Sequence, residues 1–334
     1  MDQKSTSDRI KHSLHFQNGA FRNLSVTPMK PENVTYIDML KRSLNRPSDV
    51  KPGFPLPVVK TDLHTLKADA PTIVWFGHSS YFIKVHDFTI LVDPVFSGSA
   101  APFSFMIKAF PGTNTYRASD MPEIDMLIIT HNHYDHLDKK TLAQLSGKVK
   151  SVYTPLGVAK DLIDAFSADI ITEMDWWESN QVQDEINITA TPARHFSGRG
   201  LKRGGSLWAS FVLRIFGYNL FLGGDSGYDS HFKEIGNKYG PFDLVILENG
   251  QYNEYWPYIH MMPEETVEAA IDLQAKALLP VHWGKFALSV HPWNESPERV
   301  TRAAAEKHLL VTTPKIGQPV IVGSNYPQDA WWRI

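Results

Sequence analysis

Cysteine is absent from all 334 residues of this chain. That excludes disulfides, a thiolate nucleophile and zinc–thiolate coordination, so a metal centre here must be built from histidine and carboxylate. Long apolar runs are also missing. None approaches the roughly 18 residues that a membrane-spanning helix needs. The opening decapeptide, Met1–Ile10, has no apolar core of the kind a secretory leader carries, so a cytoplasmic location is the expectation. Charge of one sign is not in excess either. The 33 Lys and Arg against 36 Asp and Glu leave a net −3, which argues against a general nucleic-acid binder or a polybasic membrane anchor. There is no short internal repeat.

What is present is ordinary for a globular chain: 43% hydrophobic and 21% charged residues, ample for a large core. Aromatic residues reach 12%, enough to fill that core and also to line an apolar binding surface.

One stretch concentrates the chemistry. Thr130-His131-Asn132-His133-Tyr134-Asp135-His136-Leu137-Asp138 follows the apolar run Met126–Ile129, which is short and branched enough to be a buried strand. The polar cluster then lies in the loop at the strand's C-terminal end, where α/β folds place their chemistry. His131 and His133 can point to one side of an extended segment. Asp135 and His136 follow as the chain turns and can face a second position. Two such pairs suit two adjacent metals better than one, and zinc fits several imidazoles plus carboxylate.

Further candidates also sit at strand ends. His195 follows the alternating segment Ile186–Pro192, Asp225 follows Asn219–Leu222, and His282 follows Ala277–Val281. Alone, each would be structural; as a set they describe a site assembled from several loops. His260 lies just before a helix predicted to begin at Pro263. Tyr228 stands beside Asp225, and Glu248 ends another apolar run.

Residues 1–70 carry scattered prolines and one short helix near Val34–Leu44. They are expected to be an extension wrapping the domain formed by 71–334. Strands are expected at 72–76, 81–85, 89–92, 151–154 and 206–215, and helices at 139–145 and 155–166. His78 and Asp93 follow strands and are given no ligand role. Asp93 could orient a ligand histidine. The apolar segment Ala100–Pro111 is expected to cap the core rather than form a lip over the site. Many strands with fewer helices predict an α/β sandwich of sheets flanked by helices.

H-x-H-x-D-H after an apolar strand resembles the signature of the metallo-β-lactamase superfamily. The longer string His131–Asp138, with Asp175-Trp176-Trp177-Glu178, Gly224–Tyr228 and Val281–Leu288, resembles one branch, the N-acylphosphatidylethanolamine-hydrolysing phospholipases D and their bacterial relatives. The resemblance spans roughly residues 70–325 and implies an αββα sandwich of two mixed sheets. It further implies that His131, His133 and His195 bind one zinc, that Asp135, His136 and His282 bind a second, and that Asp225 bridges them; iron or manganese would suit the same donors. Asp135 and His260 are the implied catalytic groups. His260, Tyr228 and Glu248 are the residues expected to meet substrate. The implied reaction is hydrolysis by a hydroxide bridging the metals, of phospholipase D type, on N-acylphosphatidylethanolamine-like lipids. Lactonase or other carbonyl-centre hydrolysis is the alternative within the superfamily. A non-catalytic metal-binding protein is the alternative of another class, disfavoured by the complete ligand set. A lipid or small-molecule substrate, peripheral membrane contact and a homodimer are implied by the same analogy. The chain departs from the branch at Leu247-Glu248-Asn249-Gly250, where relatives carry an apolar residue and proline before the glycine.

Overall fold

The structure, a computed structural model, describes residues 6–200 and 203–334, with backbone alone at 36, 40, 43 and 44. Met1–Ser5, part of the stretch read for a leader, lie outside the described residues.

Two seven-stranded sheets form the centre. The chain begins with α1 (Thr6–His12), the two-residue strands β1 (Phe16–Gln17) and β2 (Ala20–Phe21), and α2 (Tyr36–Leu44). Thr35 and Asp38 close a capping box at the start of α2. The first sheet holds β3 (Thr72–Trp75), β4 (Tyr81–Val85), β5 (Phe88–Val92), β6 (Met126–Ile128), then, past α3 (Lys139–Leu145), β7 (Val152–Pro155) and β8 (Ile171–Met174). The second holds β9 (Ser179–Gln183), β10 (Ile186–Thr191), β11 (Ser210–Ile215) and β12 (Tyr218–Leu222). After α4 (His231–Tyr239) come β13 (Leu244–Glu248), α5 (Pro263–Asp272), β14 (Ala277–Val281), α6 (Glu295–Glu306) and β15 (Leu310–Val311). The last strand, β16 (Pro319–Ile321), returns to the first sheet beside β3.

Strand alternation explains the layers. In β4, Tyr81, Ile83 and Val85 join the core between the sheets, while Phe82 faces the outer layer with Leu142 and Leu145 of α3. In the second sheet, Leu220, Leu222 and Ile246 point inward. Phe221 and Val245 meet Phe232, Val267 and Val300 from α4, α5 and α6. Helices thus cover both outer faces, giving the αββα arrangement. β5–β8 and β12–β15 are parallel, and β5, β6, β13 and β14 are buried throughout, so these four read as near-continuous apolar runs in the sequence. Their C-terminal ends open on one edge, and there the polar loops collect.

Two expectations need correction. Residues 155–166 are not one helix: Pro155 ends β7, and only Ala159–Asp161 forms a 3₁₀ turn. The apolar spacing there matches a helix, but Gly157 takes a left-handed conformation (φ +82°) against the backbone of Ser206, and a helix cannot pass through it. The 100–111 segment does not simply cap the core. Ala100 and Phe110 are buried, but Phe103, Phe105 and Met106 are exposed at its tip. Paired bonds, Ala100 N–H to Ile107 O and Ala109 N–H to Gly98 O, hold it as a projecting loop.

Candidate metal centre

Each loop at the sheet edge is held by its own polar bonds before it offers a side chain. Thr130 donates through its backbone N–H and its hydroxyl to the two carboxylate oxygens of Asp93, at 2.9 and 2.6 Å. This couples the end of β5 to the loop after β6. Asp138 caps α3 and accepts from Ser97 N–H and the Thr141 hydroxyl, which closes the 130–138 loop. Gly227 N–H donates to Arg194 O, and Arg194 N–H to Ser226 Oγ, so the loop after β12 is tied to the end of β10. His282 N–H donates to His78 O, and His78 N–H to Trp283 O. His78, Asp93 and His282 all adopt positive φ, an unusual backbone for such residues that tends to mark functional sites.

Together these loops converge seven side chains. His131 Nε2 and His195 Nε2 lie 2.9 and 3.2 Å from His133 Nδ1. His136 Nε2 lies 3.2 Å from Asp225 Oδ2 and 3.5 Å from Asp135 Oδ2. His282 Nε2 is 4.0 Å from Asp135 Oδ2. Asp225 stands between the two sets, 3.8 Å from His131, 3.7 Å from His195 and 3.2 Å from His136 and His282. Among the described residues, groups able to share one ion are His131–His133–His195, Asp135–His136–His282 with His78 added, His131–His136–Asp225, and His195–Asp225–His260.

The donors fit metal ions. Buried Nε2 atoms of His133 and His136 have no hydrogen-bond partner, and a buried ring nitrogen without one is costly. Two nitrogens bound to a single tetrahedral zinc at about 2.0–2.1 Å lie about 3.4 Å apart, close to the spacing seen. For His136, His195 and His282 the other ring nitrogen is engaged from behind, as metal-bound imidazoles require. His195 Nδ1–H donates to Ile259 O at 2.9 Å, and His136 Nδ1–H to Asp93 at 2.7 Å. His282 Nδ1 pairs with Ser79 Oγ at 2.7 Å. Burial holds His131, His195 and His282 well below the usual imidazole range and His133 at about 4. Their rings are neutral at pH 7, as ligation demands. His136 goes the other way: burial opposes its charge, but Asp225, Asp135 and Asp93 outweigh it. Asp93, Asp135 and Asp225 are all buried, and buried carboxylates need compensating positive charge. Divalent ions would supply it.

The other candidates fall in different places. His260 lies beside the cluster, its ring 5.1 Å from that of His195 and 5.2 Å from that of His282. Glu248 is buried behind it, its Oε2 3.3 Å from His260 Nδ1 and its Oε1 accepting Met261 N–H at 2.7 Å. Burial pushes Glu248 up to about 7 against the pull of His260. Burial disfavours a charged His260, yet Glu248 carries its pKa above the usual value. Glu248 therefore touches His260 and not the open cavity. Tyr228 is not brought to the site. It stacks on Phe232, and its hydroxyl donates to Asp272 at 2.8 Å.

Two residues went unread in the sequence. His78, seen there as a turn residue, has Nε2 2.9 Å from Asp135 Oδ2; the Gly77-His78-Ser79-Ser80 string was its only signal. Asn23, in the N-terminal extension, accepts His195 N–H and donates to His195 O. Nothing in its surroundings marked it.

A cavity of about 530 Å³ opens over the cluster, within the usual range of small-molecule sites. Ala101 and Met106 of the projecting loop form one side, Arg199 and Arg203 another, and His260 and Trp256 a third.

Comparison with known proteins agrees with this geometry. Residues 89–283 match the family model described as "Beta-lactamase superfamily domain". An uncharacterised protein of Mycobacterium tuberculosis (strain H37Rv) is 36% identical over 330 residues, covering 97% of this chain and 88% of its own. The mitochondrial N-acyl-phosphatidylethanolamine-hydrolyzing phospholipase D of Saccharomyces cerevisiae is 35% identical over 245 residues, 69% of this chain and 51% of that protein. Among solved structures, Igni18, a metallo hydrolase from Ignicoccus hospitalis, superposes with a TM-score of 0.55 at 19% identity, over 75% of this chain and 97% of its own. A buried histidine–aspartate cluster at the open edge of an αββα sandwich, matched over more than half its length by that model, means that the chain belongs to the metallo-β-lactamase superfamily of metal-dependent hydrolases.

Proposed function

We propose that the protein is a zinc-dependent phosphodiesterase of phospholipase D type, acting on N-acylphosphatidylethanolamine-like substrates. The observation that carries this reading is the composition of the cavity. It is lined by the histidine–aspartate cluster, by the apolar loop with Met106, and by Arg199 and Arg203. An anionic diester with apolar arms matches a lining that offers both apolar contact and guanidinium. A neutral lactone would need only a small pocket and no fixed cation.

His131, His133 and His195 would hold one ion, Asp135, His136 and His282 the other, and Asp225 would reach both. Bound there, the pair would supply an activated water and Lewis acidity towards a phosphoryl oxygen. Asp225 and Asp135 add negative charge that keeps such cations in place. His260 is presented by Glu248, which holds Nδ1 and leaves the other ring edge towards the cavity. Its raised pKa keeps a proton available near neutrality, suited to the departing oxygen. The exposed tip, Phe103, Phe105 and Met106, offers apolar side chains to a lipid surface next to the opening.

The test is a paired assay of zinc-loaded protein. N-acylphosphatidylethanolamine in detergent should release phosphatidic acid, and Asp225→Ala should abolish it. Opening of soluble lactones without phosphatidic acid release would overturn the reading. Metal analysis should return two zinc ions per chain.

A further inference from the structure

A second cavity, of about 550 Å³, lies on the far side of His195, between residues 20–29 and the segment around Trp208. It meets the first at a partition: His195, Phe196 and Arg203 line both. Each space falls within the range of a small-molecule site on its own.

The partition is built from the centre itself. The Phe196 ring packs edge-on against His133, with centroids 4.5 Å apart, and lies 4.9 Å from His195. The Arg203 guanidinium lies over the same ring at 4.6 Å. A positive charge therefore stands on the ring where the two spaces join.

The roof of the second cavity is anchored. Asn23 exchanges two hydrogen bonds with the backbone of His195, at 2.8 and 3.0 Å. Arg194 donates to Val26 O at 2.8 Å and Thr27 Oγ1 at 3.0 Å. Phe21 N–H donates to Gly204 O at 2.9 Å. All these anchors are polar. Of the apolar side chains in the same segment, Phe21 joins the core, whereas Leu24 is 53% exposed and Met29 is only half-buried. A segment pinned by Phe21 and by its polar atoms, with Leu24 and Met29 left open beside a charged partition, is arranged to receive something apolar.

We propose that this second cavity takes one apolar arm of a two-armed phosphodiester. The other arm lies under the 100–107 loop, and the phosphoryl group sits at the partition, facing Arg203. This rests on the phosphodiesterase reading and adds to it that one of the apolar arms is read by the N-terminal extension.

The test uses the full chain loaded with zinc and the double variant Leu24→Asp, Met29→Asp. Both positions are at least partly open, and such surface changes usually alter stability little; an unchanged melting temperature checks this. The substrates are bis(p-nitrophenyl) phosphate, which is too small to span the partition, and a short-chain N-acylphosphatidylethanolamine with two apolar arms. The variant should raise KM for the lipid about tenfold with kcat little changed, the signature of lost uniform binding, and should treat the small diester as the wild type does. In parallel, crystals soaked with bis(11-bromoundecyl) phosphate should show bromine in both cavities. Equal effects on both substrates, or both bromines in one cavity, would overturn the proposal. If the wild type cleaves neither diester, the phosphodiesterase reading fails by itself, and the bromine positions still decide whether the second cavity takes an apolar arm.

Discussion

Lys285→Met should change how the stability of this protein depends on pH. Lys285 follows His282 by three residues and is fully buried. Its Nζ donates to Val95 O at 2.9 Å and Phe76 O at 3.3 Å. It thus fastens together the backbone leading to His78, the stretch after Asp93 and the turn after His282. Burial, against a smaller opposing pull from Asp138, lowers its pKa from 10.5 to about 7. The unfolded chain keeps the proton up to pH 10.5, while the folded chain releases it near 7, so the unfolded state binds more protons across that window. Stability contributed by this group therefore rises with pH from 7 towards 10.5, and the cost of burying it is fully present below 7. The full difference corresponds to about 5 kcal/mol, of which about 3 kcal/mol is recovered by pH 9.5. Methionine is similar in length and carries no charge. It leaves two carbonyls without a donor, at about 1–3 kcal/mol each, but that loss is the same at every pH. Urea unfolding of the metal-free wild type and variant, from pH 6 to 9.5, isolates the term. The wild type should gain about 3 kcal/mol on the variant between pH 7 and 9.5. Parallel curves would refute the reasoning and mean that Lys285 is a buried ammonium throughout.

Glu248→Gln keeps the shape behind His260 but removes the charge that holds its proton. Turnover of a diester with an alkoxide leaving group should fall about 10²-fold, and turnover of a p-nitrophenyl ester far less, since a good leaving group needs no proton; equal losses would argue against proton donation by His260. Substitution of Phe103 and Phe105 by serine, neither of which lines the cavity, should leave bis(p-nitrophenyl) phosphate hydrolysis and the melting temperature unchanged while weakening sedimentation with phospholipid vesicles. Unaltered vesicle binding would remove the lip from the account. Gly227→Ala should cost metal binding as well as stability, because a Cβ there would lie 2.0 Å from Tyr258 O. Relief of that clash must displace either the Asp225 loop or the segment carrying His260, and titration calorimetry with zinc should show the loss.

The cluster was legible because its chemistry is local in sequence. Four of its side chains fall within residues 131–136, and the others follow apolar runs that end at the same sheet edge. Strand periodicity and strand-end polarity carry that much with no tertiary information. What was not legible depends on contacts between distant segments. Gly157 stopped a helix because Ser206 lies against it, 49 positions on. Tyr228, next to Asp225 in sequence, points instead to Asp272. The 100–111 loop has the composition of a core segment, and only its anchoring at both ends turns Phe103 and Phe105 outwards.

Glu248 joins the two kinds of information. In the sequence it stood out only as an acid at the end of an apolar run. Its placement gives the acid a partner, since the end of β13 and the start of α5 meet there. Pro263 begins that helix, and Met261 N–H, just before it, needs an acceptor that a proline or an apolar side chain at 248 would not provide. The carboxylate meets that need and reaches His260 with its second oxygen. A chain with an apolar residue at this position must present the corresponding histidine by other means. Glu248 thus sets how His260 is held, apart from the donors that face one another in the cluster.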